Sequence, residues 1–406
     1  MHELLVLGGG ASGFAAAISY ARKKGGKSVL IIEGNDRALK KVALTGNGQC
    51  NLTNVKKGKY FGEEELANSV LERVSVEDTL DFFASIGVKT FVKENGKVYP
   101  RSLQASSVSD LLRYEAQRLG ITLLTNEFIT EIKRFGDVFE VITNAGIHHS
   151  KYVVYALGGA AYPKLLSSSS NTKILDNLKV KSAPFVPALV QLCCTSVLLK
   201  QFKGIKAEVG LSIVVNGKII ANGTGEMHFA GNAISGPIVF SLSPYATTCL
   251  AQGKEVFAKI DFFPENSNGE FLEYLEERIT AIPNMLTDNL FTTLLHNAIG
   301  RAILKECNIP LNTPVSSLTD EQLIKLMKVC KGATVKITDS YGFNYAQSSI
   351  GGVIASELDQ NLMLNKIKNM FIVGEAVNVC GECGGYNLQW AWSSGILVGN
   401  HIAGLA

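Results

Sequence analysis

The sequence predicts an α/β fold. One parallel sheet is built from both ends of the chain and interrupted by an inserted region that is first β-rich and then helical. Three observations predict it. An apolar run, ELLVL at 3–7, leads directly into a glycine turn and an alanine-rich helix. Two later runs, KYVVYALGG and NMFIVGE, also end in glycine turns. Between about 189 and 333 the pattern changes to hairpin signals and then to helical stretches punctuated by Pro264, Pro283, Pro310 and Pro314.

The first unit begins with a strand of parallel-sheet length. GGGASG follows it, giving Gly8-x-Gly10-x-x-Gly13, and residues 12–24 read as a helix. Arg22, Lys23 and Lys24 suit the negative end of that helix, and Gly25 suits its cap. A second strand, SVLIIE, closes on Glu33, twenty residues after Gly13. Gly8 permits a tight turn, Gly10 lets backbone approach a pyrophosphate, and Gly13 lets helix and strand pack closely. Ala11 and Ser12 open the helix whose N-terminal amides would meet the phosphates. Glu33 would accept from ribose hydroxyls. Strand, turn, helix and acid in this order form a dinucleotide-binding fingerprint.

The dinucleotide expected is FAD. Residues 40–54, KKVALTGNGQCNLTN, form a polar loop where a small nicotinamide domain would continue its alternation. A ligand reaching residues near 10, 45, 158 and 375 must be extended. No second complete GxGxxG occurs, since Gly223-x-Gly225 runs into His228. Any NAD(P)H would therefore dock transiently.

Residues 108–120 read as a helix with a glycine stop, and 139–157 as strands turning at Asn144-Ala145-Gly146. Asn216-Gly217 is a hairpin signal, and Thr319 with Gln322 opens a helix with a capping box. The expected organisation is a discontinuous, Rossmann-like FAD-binding domain over 1–188 and 334–406. A β-rich insert spans 189–263 and a helical insert 264–333.

The blocks TGNGQCNLTN, GKVYPRSLQASSV, ALGGAAYP, GEMHFAGNAISGP and CGGYNLQWAWSSG resemble one bacterial flavoprotein family from end to end, in the same order. Its members are known as aminoacetone oxidase-like or bile-acid dehydro-reductase-like NAD(P)/FAD-dependent oxidoreductases. The resemblance implies FAD contacts at Lys41, Thr45, Gly46, Asn47, Gly48 and Asn51. It also implies them at Phe128, Gly158, Gly374, Glu375, Gly385, Tyr386, Asn387 and Leu388. The chain departs from the family in four places. Gln49 stands where an arginine is usual, and Ala230-Gly231-Asn232-Ala233 replaces a histidine block. A serine run, Ser167 to Ser170, shortens a loop, and Asn378 and Cys380 replace acids.

The stretch VCGECGGYNLQWAW turns the chain into a last helix beginning near Tyr386 or Asn387. That helix would aim its positive end at the flavin ring. Gly395 and Gly399 would let it lie close to the first strand–helix unit, while Trp390 and Trp392 are expected in the core. Cys380-x-x-Cys383 has the spacing of a redox pair, but the resemblance accounts for Cys383 without redox work. No metal site is expected, because no second CxxC or HxxxH exists. Tyr99, Arg101 and His228 are the catalytic candidates: a proton donor, an orienting cation and an acid/base.

With 46% hydrophobic and 18% charged residues, 406 residues can form two or three packed domains. A net charge of +3 gives little support to nucleic-acid binding. No apolar stretch reaches the roughly 18 residues of a membrane helix, and Glu3 with no preceding Lys or Arg argues against a signal peptide. Eight scattered cysteines fit a cytoplasmic protein with reduced thiols.

The expected activity is hydride transfer between flavin N5 and an organic substrate held between the FAD domain and the insert, with NAD(P)H as a candidate reductant. Amine oxidation with O₂, RNA modification and flavin binding without turnover are the alternatives. Oligomeric state is not readable.

Overall fold

The computed structural model describes residues 1–165 and 170–406; Ser167, Ser168 and Ser169 lie outside them. The chain divides into two compact units, Met1–Pro187 with Gln347–Ala406, and Ala188–Ala346.

In the first unit four strands run parallel in the order Thr122–Leu124, Val29–Ile32, His2–Leu7 and Ile147–Tyr155. Met370–Ile372 adds in parallel beside Val153–Tyr155, so the C-terminal part of the chain completes the sheet begun by the N-terminus. The other half of Ile147–Tyr155 pairs antiparallel with Val138–Thr143, which pairs with Ile129–Phe135. Leu4, Leu5, Val6 and Leu7 are fully buried. Each such side chain contributes about 1.5–3 kcal/mol by leaving water, which explains the absence of alternation in this strand.

Helix Ala11–Lys24 returns from the first strand and packs along the last helix, Tyr386–Leu405. The contact is at backbone distance. A methyl group on Gly395 would stand 2.4 Å from the Ser12 carbonyl oxygen, and one on Gly399 would stand 2.3 Å from that of Ala16. Both distances are shorter than carbon–oxygen contact allows, so the expected role of these glycines holds. Trp390 and Trp392 are buried, and their indole N–H groups donate to the Gly374 and Leu52 carbonyls.

The second unit is a closed six-stranded barrel with helices packed around it. Lys206–Val215 and Lys218–Phe229 form the expected hairpin, with Asn216 and Gly217 both at positive φ (51° and 72°). Thr319 and Gln322 make the capping box. Three features differ from the sequence reading. Ala333–Ser340 closes the barrel against Leu192–Thr195 and Val256–Asp261, so the second unit extends to Ala346 rather than ending at 333. The region taken as β-rich contains a helix, Pro237–Ala251. The stretch between residues 75 and 108, for which no strand is expected above, contributes Thr90–Val92 and Lys97–Pro100, which join Thr53–Asn54 in a small antiparallel sheet.

Replacing Gly395 by alanine should lower stability by about 1–3 kcal/mol through overpacking. Gly404→Ala, in the same helix but with nothing within 4 Å, should be neutral or raise it by up to about 1 kcal/mol. Urea unfolding followed by tryptophan fluorescence compares them, and equal effects would refute the close-packing account.

Candidate functional site

The glycine turn after the first strand forms one wall of a cavity of about 510 Å³ within the first unit, inside the usual range of roughly 300–1,000 Å³ for ligand sites. Its lining draws on Gly8 to Ser12, Glu33, Lys41, Thr45, Phe128, Gly158, Glu375, Asn387 and Leu388. The four regions predicted to meet one extended ligand thus share one cavity.

Gly8 has φ +109°, and a methyl group there would stand 2.4 Å from the Ala156 carbonyl oxygen, so the tight turn admits only glycine. A methyl group on Gly10 would meet nothing within 4 Å; its space is open to a ligand. Gly10 begins the first helix without a side-chain cap or an acid in the first turn, leaving the amide end available to phosphate.

Glu33 sits where the second strand ends. It accepts from the Gly9 amide at 2.8 Å and from the Asn35 amide and side chain at 2.8 and 2.7 Å. It therefore fixes the turn as well as facing the cavity. Further along, Glu127 accepts from Thr143 Oγ1 at 2.6 Å and pairs with His148 Nε2 at 2.5 Å. Burial pushes its carboxyl up, but these partners outweigh burial and hold it below the ordinary glutamate value.

A second polar knot joins distant segments. Lys41 Nζ lies 2.6 Å from Glu375 Oε2, while Ser348 Oγ donates to Glu375 Oε1 at 2.7 Å. Asn387 clasps Gly381 through both amide directions, donating at 2.7 Å and accepting at 2.9 Å. Asn387 and Leu388 are in the first turn of the last helix, which has no acid in that turn and no side-chain cap. Positive potential is therefore presented to that end of the cavity.

Other residues of the expected set stand behind the wall. Gly46, Asn47 and Gly48 form a left-handed turn with φ of 58°, 55° and 82°. Gly13 and Gly374 sit at close backbone approaches, with their virtual methyl groups 2.1 Å from Gly8 O and 2.5 Å from Ser12 Oγ. Tyr386 packs its ring over Gly58, and Gly385 lies against the Thr53 carbonyl. Asn51 Oδ1 is buried with no hydrogen-bond partner, 3.0 Å from where a Gly385 methyl group would stand. An acceptor left in that state beside the helix end fits a site awaiting a donor. With the open Gly10 cradle, the residues present fit an FAD.

The catalytic candidates do not line this cavity. Tyr99 is 8% exposed, under Lys93 at 4.2 Å, and burial raises its phenol pKa. Arg101 is exposed beside Lys89, whose carbonyl takes its backbone N–H. His228 belongs to the second unit, paired with Glu226 at 2.6 Å. Cys380 and Cys383 are free thiols. Burial pushes Cys380 up to about 12 and also raises Cys383, the opposite of a thiolate-forming redox pair.

Sequence reasoning missed Asn35, Arg37, Lys40, Glu127, Thr130, Lys173, Gln347 and Ala391 at the cavity. Asn35 follows the signature acid by two residues, a readable side-chain turn signal. The rest converge only through the fold.

The chain is 33% identical to 3-dehydro-bile acid delta(4,6)-reductase of Clostridium scindens, over 99% of each chain. It is 26% identical to the ribosomal RNA dihydrouridine synthase of Escherichia coli, over 97% of this chain and 96% of the other. Among solved structures, 3-ketosteroid-delta4-(5alpha)-dehydrogenase of Rhodococcus jostii RHA1 is similar with a TM-score of 0.49 and 14% identity, over 99% and 96% of the two chains. The model of the HI0933-like protein Rossmann domain matches residues 2–401. The glycine turn, its acid and the end-to-end match agree: the chain belongs to the HI0933-like FAD-binding Rossmann family.

Proposed function

We propose that this FAD-dependent oxidoreductase saturates a carbon–carbon double bond conjugated to a carbonyl in a sterol-like substrate, with NAD(P)H as reductant. The carrying observation is the 33% identity to a bile-acid delta(4,6)-reductase over the whole of both chains. The ribosomal RNA dihydrouridine synthases, at 26% and 24% identity, bear names that describe the same bond chemistry. A net charge of +3 gives no reason to carry their substrate over as well.

Bound FAD would supply the hydride-transferring centre. The Gly8–Ser12 turn, braced by Glu33, would hold its phosphates. Lys41, Glu375 and Ser348 would lock the loop from 40 onward against the strand ends. The amide end of the last helix would stabilise negative charge near Asn387 and Leu388. These are positioning and electrostatic tasks, which this set of residues can perform without a nucleophile.

The purified protein should be yellow, and anaerobic NADPH or NADH should bleach it. A 3-oxo-4,6-diene sterol should then restore the colour while losing its own dienone absorbance. Absence of bleaching by either nucleotide would remove NAD(P)H, and failure of the dienone to reoxidise dithionite-reduced protein would remove the substrate class.

Lys41→Met and Glu375→Gln should each weaken FAD binding. Their double-mutant cycle should give a coupling of about 1 kcal/mol for this partly exposed pair, read from FAD dissociation constants. Strict additivity would show that the two do not act together.

A further inference from the structure

The small antiparallel sheet beside the start of the last helix carries an arrangement that the proposed reaction does not explain. Phe91 pairs with Tyr99, and Asn54 with Lys97. The Lys93 amide donates to the Lys97 carbonyl at 2.9 Å. Opposed residues and alternate residues share a face of a sheet, so Phe91, Lys93, Lys97, Tyr99 and Asn54 lie on one face. The rings bear this out: Phe91 and Tyr99 are 6.2 Å apart, with Lys93 Nζ 4.2 Å above Tyr99.

Two lysines therefore stand opposite each other where the strands enter the turn of the hairpin. Among the described residues neither is paired with a carboxylate, and Glu94 in the intervening turn makes no ion pair with them. Like charges directly opposed across strands are destabilising. Lys56 adds a third exposed cation, its stem 2.8 Å from where a Gly96 methyl group would stand.

The same face meets the glycine turn before the last helix. Asn54 Nδ2 donates to the Gly384 carbonyl at 3.1 Å, and Lys97 Cε would lie 3.5 Å from a Gly384 methyl group. Three residues later the helix lines the cavity. The chain carries no second GxGxxG to hold another dinucleotide. A phosphate of a transient reductant would have to find its cations on such a surface.

We infer that Lys93 and Lys97, with Lys56 at the edge, form the docking site for the 2′-phosphate of NADPH, a group carrying close to two negative charges. The inference rests on the proposed use of NAD(P)H. It makes the protein selective for NADPH over NADH, with Phe91 and Tyr99 as the apolar floor beneath the cations.

Calorimetric titration of 2′,5′-ADP into FAD-loaded protein tests it. Lys93→Gln and Lys97→Gln should each weaken binding about tenfold, the loss of one charge-assisted contact, and the double variant more. Lys57→Gln, elsewhere on the exposed loop, should change nothing. In anaerobic stopped flow the same variants should raise the Kd for NADPH in step, leaving the limiting bleaching rate and the response to NADH unchanged. An unaltered visible flavin spectrum would show that the variants fold. Unchanged 2′,5′-ADP binding in the double variant would overturn the site. A raised KM for a carboxylate-bearing sterol with intact 2′,5′-ADP binding would overturn it in favour of a substrate site. If wild-type protein reduces dienone equally with NADH and NADPH, the reaction stands and the site falls. If lysine-dependent 2′,5′-ADP binding is found but no dienone is reduced, the site stands and the substrate reading falls.

Discussion

The structure of the first unit depends on two helices touching at backbone distance. Without side chains at Gly395 and Gly399, the last helix lies on the carbonyl groups of Ser12 and Ala16. That register makes the rest of the site possible, because it fixes where the other end of the helix begins. Trp390 then reaches the Gly374 carbonyl, and Ser394 accepts from the Gly374 amide at 3.0 Å. The final strand and its Gly-Glu turn are thereby attached to the same helix. Thr53 is tied in through Gln389, 336 residues away in sequence. A glycine turn near the N-terminus and a positive helix end near the C-terminus thus face one cavity because a few small residues allow close contact.

This dependence accounts for the VCGECGG stretch at 379–385 without redox chemistry. Val379–Gly381 pairs antiparallel with Tyr60–Gly62, so Cys380 is a strand residue, fully buried against Ser348. Gly384 and Gly385, at φ of 139° and 104°, turn the chain from that strand into the helix. The turn lies against Asn54, Lys97 and Thr53; a Cβ at Gly385 would stand 2.7 Å from the Thr53 carbonyl, while Gly384 is required by its positive φ. The glycines serve the approach of one sheet to one helix end. The thiols lie within that packing, and burial raises both pKa values in the same direction.

The legible parts of the fold were those written locally. The strand–turn–helix–acid unit, the Asn216-Gly217 hairpin and the Thr319 capping box each lie within a few tens of residues, and each takes the expected form. Barrel closure was illegible because Leu192–Thr195 must meet Ala333–Ser340 across some 140 intervening residues. ATVKIT reads as a strand in isolation, and nothing in it says which sheet it joins. Helix Pro237–Ala251 was missed for a related reason: it has no charged residue and carries Pro244 inside, so it lacks the charged face that marks a helix in sequence. At the site, Glu33 and Lys41 were legible from pattern and resemblance. Glu127 was not, since its place at the cavity depends on the strand after it folding back so that Thr143 and His148 reach its carboxylate.

The polar groups at the helix end of the cavity also bear on what the protein itself would contribute to the proposed reduction. Saturating a double bond takes a hydride and a proton. Glu375 is the carboxylate at this end, with one oxygen 2.6 Å from the Lys41 ammonium and the other accepting from Ser348. Ser348 in turn spends its proton on Glu375 and takes a weak bond from Cys380. Asn387 is committed to Gly381 in both directions. Lys41, with one ammonium N–H engaged on Glu375 Oε2, is the member of this knot that keeps further N–H groups to donate. The knot works as a frame: it holds the loop from 40 onward against the strand ends, and in the proposed reduction any proton it passes on must be replenished from solvent.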